Sequence, residues 1–425
     1  MAVPNEHARA ILARLLGNLS LDESLERLSP RDRSEHPLPP RVPHAGEWTE
    51  QAREARLQVL REREIELIQL LDDANPLPPE QLQGNIENYV GMARVPVGVI
   101  GPLRVNGAAA NDDFYVPLAT TEGALVASCQ RGALVASMSG GVTSVCFTET
   151  VYRAPCFMFD NMVQAGYFLA WLLPQTEQLQ TVVEKTTSWG KLRDIQTSIV
   201  GKEIYLKFEY STGDAGGQNM VTIATQAICD WIVENTPVQP AHWFIDGNMS
   251  GDKKATMQAF TYARGKKVIA EATVPARLVK RFLHTDVEQM FRYWQVSAMG
   301  GIQSGSIGIQ GHYANPLAAL FISCGQDPAC VAEAAVGITR VDITSDNDLY
   351  ISVSLPNLIC GTVGGGTGLP TAQECLAMMG CLGPEKARKF AEICGAIVLV
   401  AELSIIGSMA AGDFSRAHEQ YGRKK

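Results

Sequence analysis

Hydrophobic positions open the chain at helical spacing. Ala8, Ile11, Leu12, Leu15 and Leu16 fall at i, i+3, i+4, i+7 and i+8, which marks one face of an α-helix. Pro37, Pro39, Pro40 and Pro43 interrupt the pattern as a linker. It resumes with Leu57, Leu60, Leu67, Ile68 and Leu71 along one face of a segment studded with Arg and Glu. Pro76, Pro78 and Pro79 end that helix, since proline lacks the N–H and clashes with the preceding turn. Residues 1–80 are thus predicted to form a helical N-terminal domain, a candidate oligomer contact.

From residue 81 the texture changes. Gly and small residues become frequent and charge thins out. Residues 118–138 read as a turn followed by a helix of small apolar residues. Residues 203–208 and 267–274 carry β-branched and aromatic residues between polar ones and read as strands. Residues 219–235 and 276–295 read as helices. Residues 384–410 read as a long helix rich in Ala, Ile and Gly, nearly uncharged from Phe390 on and there without a polar face to show to water, so it must be buried. Helices and strands mix without an internal repeat, and the fold class is α+β or mixed α/β.

At 425 residues the chain exceeds what one hydrophobic core usually serves, so two or three domains are expected. Hydrophobic residues at 46% and charged residues at 19% exclude wholesale disorder. A net charge of −9 and the lack of a long basic run exclude a nucleic-acid binder of the usual kind. Any polyanionic ligand needs a local basic site. Ten cysteines include no Cys-x-x-Cys pair and no His/Cys cluster at zinc spacing, so reduced thiols and no metal are expected. The first residues lack the charged and apolar regions of a secretory signal. The most apolar run, Ile393 to Ala401, stops at Glu402, short of the roughly 20 residues a bilayer needs. A cytoplasmic protein with no membrane partner is expected.

Four polar clusters interrupt the apolar texture. Glu122, in Ala119-Thr120-Thr121-Glu122-Gly123, precedes a small apolar helix. There a carboxylate is either a helix cap or a partly desolvated proton donor. Asp252-Lys253-Lys254 sits in a loop of Gly, Asn and Ser, and such a Lys is either solvated or placed to stabilise an oxyanion. An apolar stretch after Gly311-His312-Tyr313-Ala314-Asn315 ends in Cys324-Gly325-Gln326-Asp327, at the edge of the core. His418 near the end suits a proton shuttle or is simply exposed. Two glycine-rich segments, from Gly213 to Met220 and from Gly361 to Gly368, can approach phosphates through backbone N–H groups. No Gly-x-Gly-x-x-Gly occurs, so a Rossmann site is not supported.

Taken in order, these segments resemble hydroxymethylglutaryl-CoA reductase. Glu87 to Gly91 and Val95 to Leu103 resemble the family's opening motif, and Ala119–Gly123, Gly213–Met220, Asp252–Lys254, Cys324–Asp327 and Gly361–Thr367 follow. The resemblance implies that Glu122, Lys253, Asp327 and His418 are the catalytic set. Lys253 would stabilise the carbonyl oxygen as each of two hydrides arrives. Glu122 would be an acid held neutral by burial and a neighbouring carboxylate. Asp327 would couple Glu122 to Lys253, and His418 would protonate the departing CoA thiolate. Mevalonate would be the product and mevaldehyde the intermediate. Arg153, Asp252, Lys254 and Asn315 match positions around the acyl group, Ser128 and Arg131 match CoA-side positions, and His312 matches a substrate-loop histidine. Asp214, Gly216, Asn219, Val363, Gly364 and Gly365 match the dinucleotide site. The implied fold is a large domain (81–154 and 246–425) around a long central helix, with a small ferredoxin-like dinucleotide domain inserted at 155–245. A homodimer or higher multiple, with active sites between subunits, is implied too.

Three features depart from the family's animal members. Many eukaryotic members place a membrane anchor ahead of this region, where only the short helical segment is read here, and Tyr421 to Lys425 lack the serine phosphorylated in animal members; a form resembling the soluble prokaryotic one is expected. Ser188 stands where they place an Arg near the adenosine 2′-phosphate, with Lys191 as a substitute; NADPH is favoured and NADH remains possible. Tyr293 to Met299 lacks their substrate-binding Lys, and the loop Gly305 to Gly311 is one residue shorter, which shifts the acyl carboxylate toward Arg153 and Lys254. The alternatives are NAD-dependent mevalonate oxidation, reduction of a related acyl-CoA, and a hydrolase or acyltransferase using Cys324, which lacks a neighbouring His base.

Overall fold

A computed structural model describes residues 20, 22–23, 43–44, 47, 49–62 and 77–413. The expected first helix, most of the proline linker, the second half of the second helix and His418 lie outside the described residues. The chain divides into two compact units, one ending at Ala93 and one starting at Arg94. The first contains helix α1 (Glu50–Arg61). Thr49 accepts the Ala52 N–H at its start, and Arg53 donates to the Val90 carbonyl at 3.3 Å.

The second unit is built on one ten-stranded, largely antiparallel sheet. Its hairpin β1 (Val97–Gly107) and β2 (Asn111–Ala119) pairs from Val97 opposite Ala119 to Asn106 opposite Asn111. Helix α2 (Leu125–Met138) leads into β3 (Val142–Arg153). Strand β3 spans both halves of the sheet. Residues 143–150 pair with β8 (Gly265–Val274), while Val151–Arg153 pair with β6 (Glu203–Ser211). Between Arg153 and Asp246 the chain adds β4 (Cys156–Met158), α3 (Met162–Leu172), α4 (Thr176–Glu184), β5 (Lys191–Val200), β6, α5 (Gln218–Asn235) and β7 (His242–Phe244). There β5, β6, β4 and β7 lie side by side, with α4 packed on α5 and β5. After β8 come α6 (Val287–Ser304), α7 (Ala314–Ser323), β9 (Ile338–Ile343), β10 (Leu349–Leu358), α8 (Pro370–Met378) and α9 (Ala387–Ala411).

Helix α9 is the centre of the core. It packs on α2, α6, α7, β3, β8 and β10, and is buried from Phe390 to Leu403 without a break. Among the described residues it is the helix long and apolar enough to cross a membrane by length and composition, yet most of it is enclosed by protein. Each large apolar side chain buried there contributes about 1.5–3 kcal/mol. Gly132 of α2 permits the helix crossing: a Cβ there would sit 1.9 Å from the Val400 carbonyl oxygen.

The helix expected over 276–295 is broken. A short turn ends at His284, which adopts φ 55°. The Asp286 side chain then accepts the Gln289 N–H at 2.8 Å and starts α6 afresh. Helix α6 runs on to Ser304 and stops at Gly305, φ 76°. The segment lacking the animal Lys is therefore helical, and only residues 305–313 form the following loop.

Candidate active site

The structure gathers many of the sequence-predicted residues at two clefts. The first opens between α2, the loop before α7, and α9, with Glu122, Ser128, Arg131, His312 and Asn315 on its walls. Strand β2 ends at Ala119, and the Thr120 hydroxyl accepts the Glu122 N–H, which turns the chain before α2. Helix α2 is entered through Ala124 at φ 73°, with no side-chain cap. Glu122 is therefore not a helix cap: its Oε1 accepts from Asn315 Nδ2 at 3.2 Å. Nor is it desolvated, because it is exposed at the cleft mouth in the single chain.

Asn315 Nδ2 also lies 3.4 Å from His312 Nδ1, and His312 Nε2 lies 3.1 Å from the Ala401 carbonyl of α9. These partners assign the ring proton to Nε2, which donates to the carbonyl, and leave Nδ1 to accept from Asn315. Ser128 and Arg131 share one face of α2 and meet one residue of α9, Ser404. The two serine hydroxyls are 2.9 Å apart, and Arg131 Nη2 donates to the Ser404 carbonyl at 2.8 Å. Burial lowers the Arg131 pKa from its ordinary value.

The second cleft is lined largely by the two glycine-rich segments, where main chain lies close to its surface. The two glycine-rich segments, far apart in sequence, join through a bridge between Ala215 and Val363 and a bond from Thr362 N–H to the Asp214 carbonyl at 2.8 Å. Gly216, Asn219, Val363, Gly364 and Gly365 all line it, at the N-terminus of the 18-residue α5. Open space surrounds Gly364 and Gly365, whose φ values are 77° and 55°. Free N–H groups at a helix start and a left-handed glycine turn suit phosphate oxygens, so these residues fit a dinucleotide. Asp214 does not face this cleft. Its carboxylate accepts the Glu385 and Ala387 N–H groups at 2.7 and 3.0 Å and so anchors the start of α9. Loop 186–190 touches the same wall, with the Thr187 hydroxyl 3.0 Å from Met220 Sδ.

Asp327 also lines this second cleft and bridges to Lys253 Nζ at 2.7 Å. The hydrogen bond that its ammonium donates to Asp327 raises the Lys253 pKa above its ordinary 10.5. Asp327 was expected to link Lys253 with Glu122; among the described residues its ion pair is with Lys253, its other oxygen accepts the Ala329 N–H, and Glu122 belongs to the other cleft. Lys253 sits at φ 55°, and its N–H donates to Glu333 Oε1 at 3.1 Å.

Around it runs an ion network that sequence reasoning missed. Fully buried Arg264 binds fully buried Glu333, Asp252 at 2.9 Å and Gln218 Oε1 at 2.8 Å. Arg153 binds Asp252 at 2.7 Å, Asp246 at 3.1 Å and the Thr222 hydroxyl at 3.0 Å. Burial pushes the Asp252 carboxyl up, but Arg264 and Arg153 outweigh it and hold the group below its ordinary value. Arg153 is thus largely committed within the protein, and Lys254 Nζ donates to the Asp252 carbonyl. Little in the sequence marks Arg264, an arginine ahead of an apolar strand. Ser404 and Glu402 had a signal, as polar residues in an otherwise apolar helix. Cys324 is fully buried, and burial raises its pKa to about 12, so it is no nucleophile.

Residues 52–423 match the family model described as hydroxymethylglutaryl-coenzyme A reductase. The 3-hydroxy-3-methylglutaryl-coenzyme A reductase of Pyrococcus horikoshii is 43% identical over 354 residues, which cover 81% of this chain and 85% of that protein. The enzyme of Methanocaldococcus jannaschii is 41% identical over 347 residues, covering 80% and 85%. Among solved structures, the class II reductase of Streptococcus pneumoniae bound to NADPH superposes with a TM-score of 0.63 at 17% identity, covering 93% of this chain and 99% of that one.

Proposed function

The chain belongs to the hydroxymethylglutaryl-CoA reductase family, oxidoreductases that reduce hydroxymethylglutaryl-CoA in the mevalonate pathway, and we propose that its two clefts are complementary halves of one active site. The carrying observation is the separation of Glu122, in the side-chain cleft with His312 and Asn315, from the Lys253–Asp327 pair at the main-chain cleft. A homodimer or a multiple of it, in which Glu122 of one copy faces Lys253 of another, brings them together. The second copy also excludes the water that now reaches Glu122.

Reduction of the thioester to an alcohol consumes two reduced dinucleotides and two protons and releases mevalonate and free CoA. A reduced nicotinamide dinucleotide, when bound, would supply the hydride that the carbonyl carbon takes in each addition. The Lys253 ammonium, held charged by Asp327, stabilises the oxygen as its negative charge develops. The C–S bond breaks after the first addition, and His418 hands the CoA thiolate a proton so that it does not re-add. Glu122 protonates the alkoxide of the second addition. Arg131 and Ser128 hold the CoA side, with His312 and Asn315 beside the acyl group. Arg153, Asp252 and Lys254 form its polar wall, Asp252 fixing Arg153. The main-chain cleft takes the dinucleotide pyrophosphate at Gly216, Asn219 and Val363–Gly365. Asp214 stands behind that site rather than in it. The segment 155–245 is the dinucleotide domain on this reading. NADPH is the preferred donor, with Lys191 beside the 2′-phosphate, and the enzyme works in the cytoplasm.

The test follows reduced-nicotinamide absorbance on adding hydroxymethylglutaryl-CoA, with NADPH and NADH in parallel, for wild type and Lys253→Ala. Two dinucleotides consumed per thioester, faster with NADPH and lost in the variant, is the expected result. Faster turnover with NADH would overturn the cofactor assignment, and an active Lys253→Ala would overturn the role of Lys253.

A further inference from the structure

Helix α9 buries two carboxylates, Glu392 and Glu402, at 1% and 0% exposure. Among the described residues neither has an ion-pair partner; both are neutralised by hydrogen-bond donors. Glu392 accepts from the Ala109 and Ala110 N–H groups at 2.8 and 2.7 Å, and from Cys146 N–H at 3.2 Å. It ties down the β1–β2 turn. Glu402 accepts from Gly311 N–H and His312 N–H, each at 2.8 Å, and from the Thr339 hydroxyl of β9 at 2.7 Å.

The surroundings of Glu402 are made to measure. A Cβ on Gly311 would come within 3.0 Å of Oε1 and 3.2 Å of Ile405 Cγ2, so the loop packs closely on the carboxylate and a side chain there would have to push it aside. The Tyr313 hydroxyl lies 3.0 Å from Thr339 Oγ1. Burial, and then the Glu402 charge, push the Tyr313 pKa well above its ordinary range, so the phenol stays a neutral neighbour.

Consecutive residues of α9 therefore grip His312 at both ends. Glu402 holds its N–H, and the Ala401 carbonyl holds its ring at Nε2. From Nδ1 the chain of hydrogen bonds continues through Asn315 to Glu122. A carboxylate with three donors converging on it has no freedom to let the loop slide. We infer that Glu402 is a positioning residue, which sets the His312 ring and through Asn315 aims the Glu122 carboxyl at the reacting oxygen. The inference rests on Glu122 being the proton donor.

Glu402→Gln keeps the shape and removes one of the two acceptor oxygens, and Glu392→Gln does the same to the other carboxylate. If Glu402 positions Glu122, E402Q lowers kcat with hydroxymethylglutaryl-CoA by roughly ten- to a hundredfold, the scale of a small misplacement of reacting groups. NADPH affinity, read by fluorescence of the binary complex, stays unchanged. E392Q destabilises the fold to a similar degree in thermal melts but leaves kcat unchanged. Thr339→Val removes one of the three donors and lowers kcat less, and Thr339→Ser restores it; this pair serves if E402Q does not fold. In an E122Q background E402Q adds no further loss, since both act through one chain. The proposal is overturned if E402Q matches E392Q in kcat, if E402Q and E122Q add independently, or if Thr339→Val is neutral in kcat. A fully active E122Q would instead remove the proton-donor reading and leave the kcat comparison to show whether Glu402 matters to His312.

Discussion

The two clefts differ in what they are made of. One is walled by side chains that rest on α9: Arg131 and Ser128 on Ser404, and His312 on Ala401 and Glu402. The other is walled by main chain, where two glycine segments meet at the start of α5, and its charged rim of Lys253 and Asp327 is held by a buried ion network. A side-chain cleft fails when an atom is deleted. A main-chain cleft tolerates deletion and fails when an atom is added. Among the described residues each also lacks what the other has: the first has a carboxylate and no lysine, the second a lysine at its rim and no Glu122.

Mixing experiments break or sharpen this comparison most strongly. Glu122→Gln and Lys253→Ala should each lower kcat by about 100- to 1000-fold, the usual cost of losing a proton donor or an oxyanion partner. Refolded or co-expressed together, they should regain activity, because a hybrid pair holds one intact site. No recovery in a mixture shown to contain hybrids would mean that each site is built from one chain. Next in size is Arg131→Ala, which deletes charge-assisted bonds worth about 1.5–3 kcal/mol. The Michaelis constant for the CoA ester should rise while NADPH affinity holds; a loss of NADPH affinity instead would undo the assignment of the cleft.

Gly365→Ala should do the reverse. It has open space for a methyl but a φ of 55°, so strain of about 1–2 kcal/mol should appear as weaker dinucleotide binding, with ester binding intact in competition assays. The smallest effect concerns pH. Asp252 has a folded pKa below its unfolded 3.8, so its ion pairs add stability above that value, which is lost as pH falls through the folded pKa. Acid titration of Asp252→Asn by circular dichroism should show lower stability than wild type at pH 7 and a gap that narrows below about pH 4. A constant gap would mean that the carboxylate's charge is not what matters.

Local patterns were legible wherever chemistry and spacing agree. The buried helix over 384–410, the strands around 203–208 and 267–274 and the helix over 219–235 were visible because an apolar period reports burial directly. The break at His284 was not, since helical spacing continues across it and only the Asp286 bond to Gln289 restarts the helix. Candidate site residues stood out where a motif groups them, as with Lys253 between Asp252 and Lys254. Arg264 and Glu333 were invisible because their partners lie 69 residues apart.

What the residue order determined alone is the inventory: an apolar helix that has to be enclosed, two glycine-rich segments, and a few carboxylates and lysines interrupting an apolar texture; the resemblance to a family, not periodicity, attached two-hydride chemistry to them. Tertiary structure decided the company each group keeps. It gave Asp327 to Lys253 and Asn315 to Glu122, turned Asp214 toward α9, and set Glu402 beneath His312. The physical reason is range. Periodicity and turn chemistry act over a few residues, whereas hydrogen bonds and ion pairs in a low-dielectric interior act between any groups the fold brings within about 3 Å.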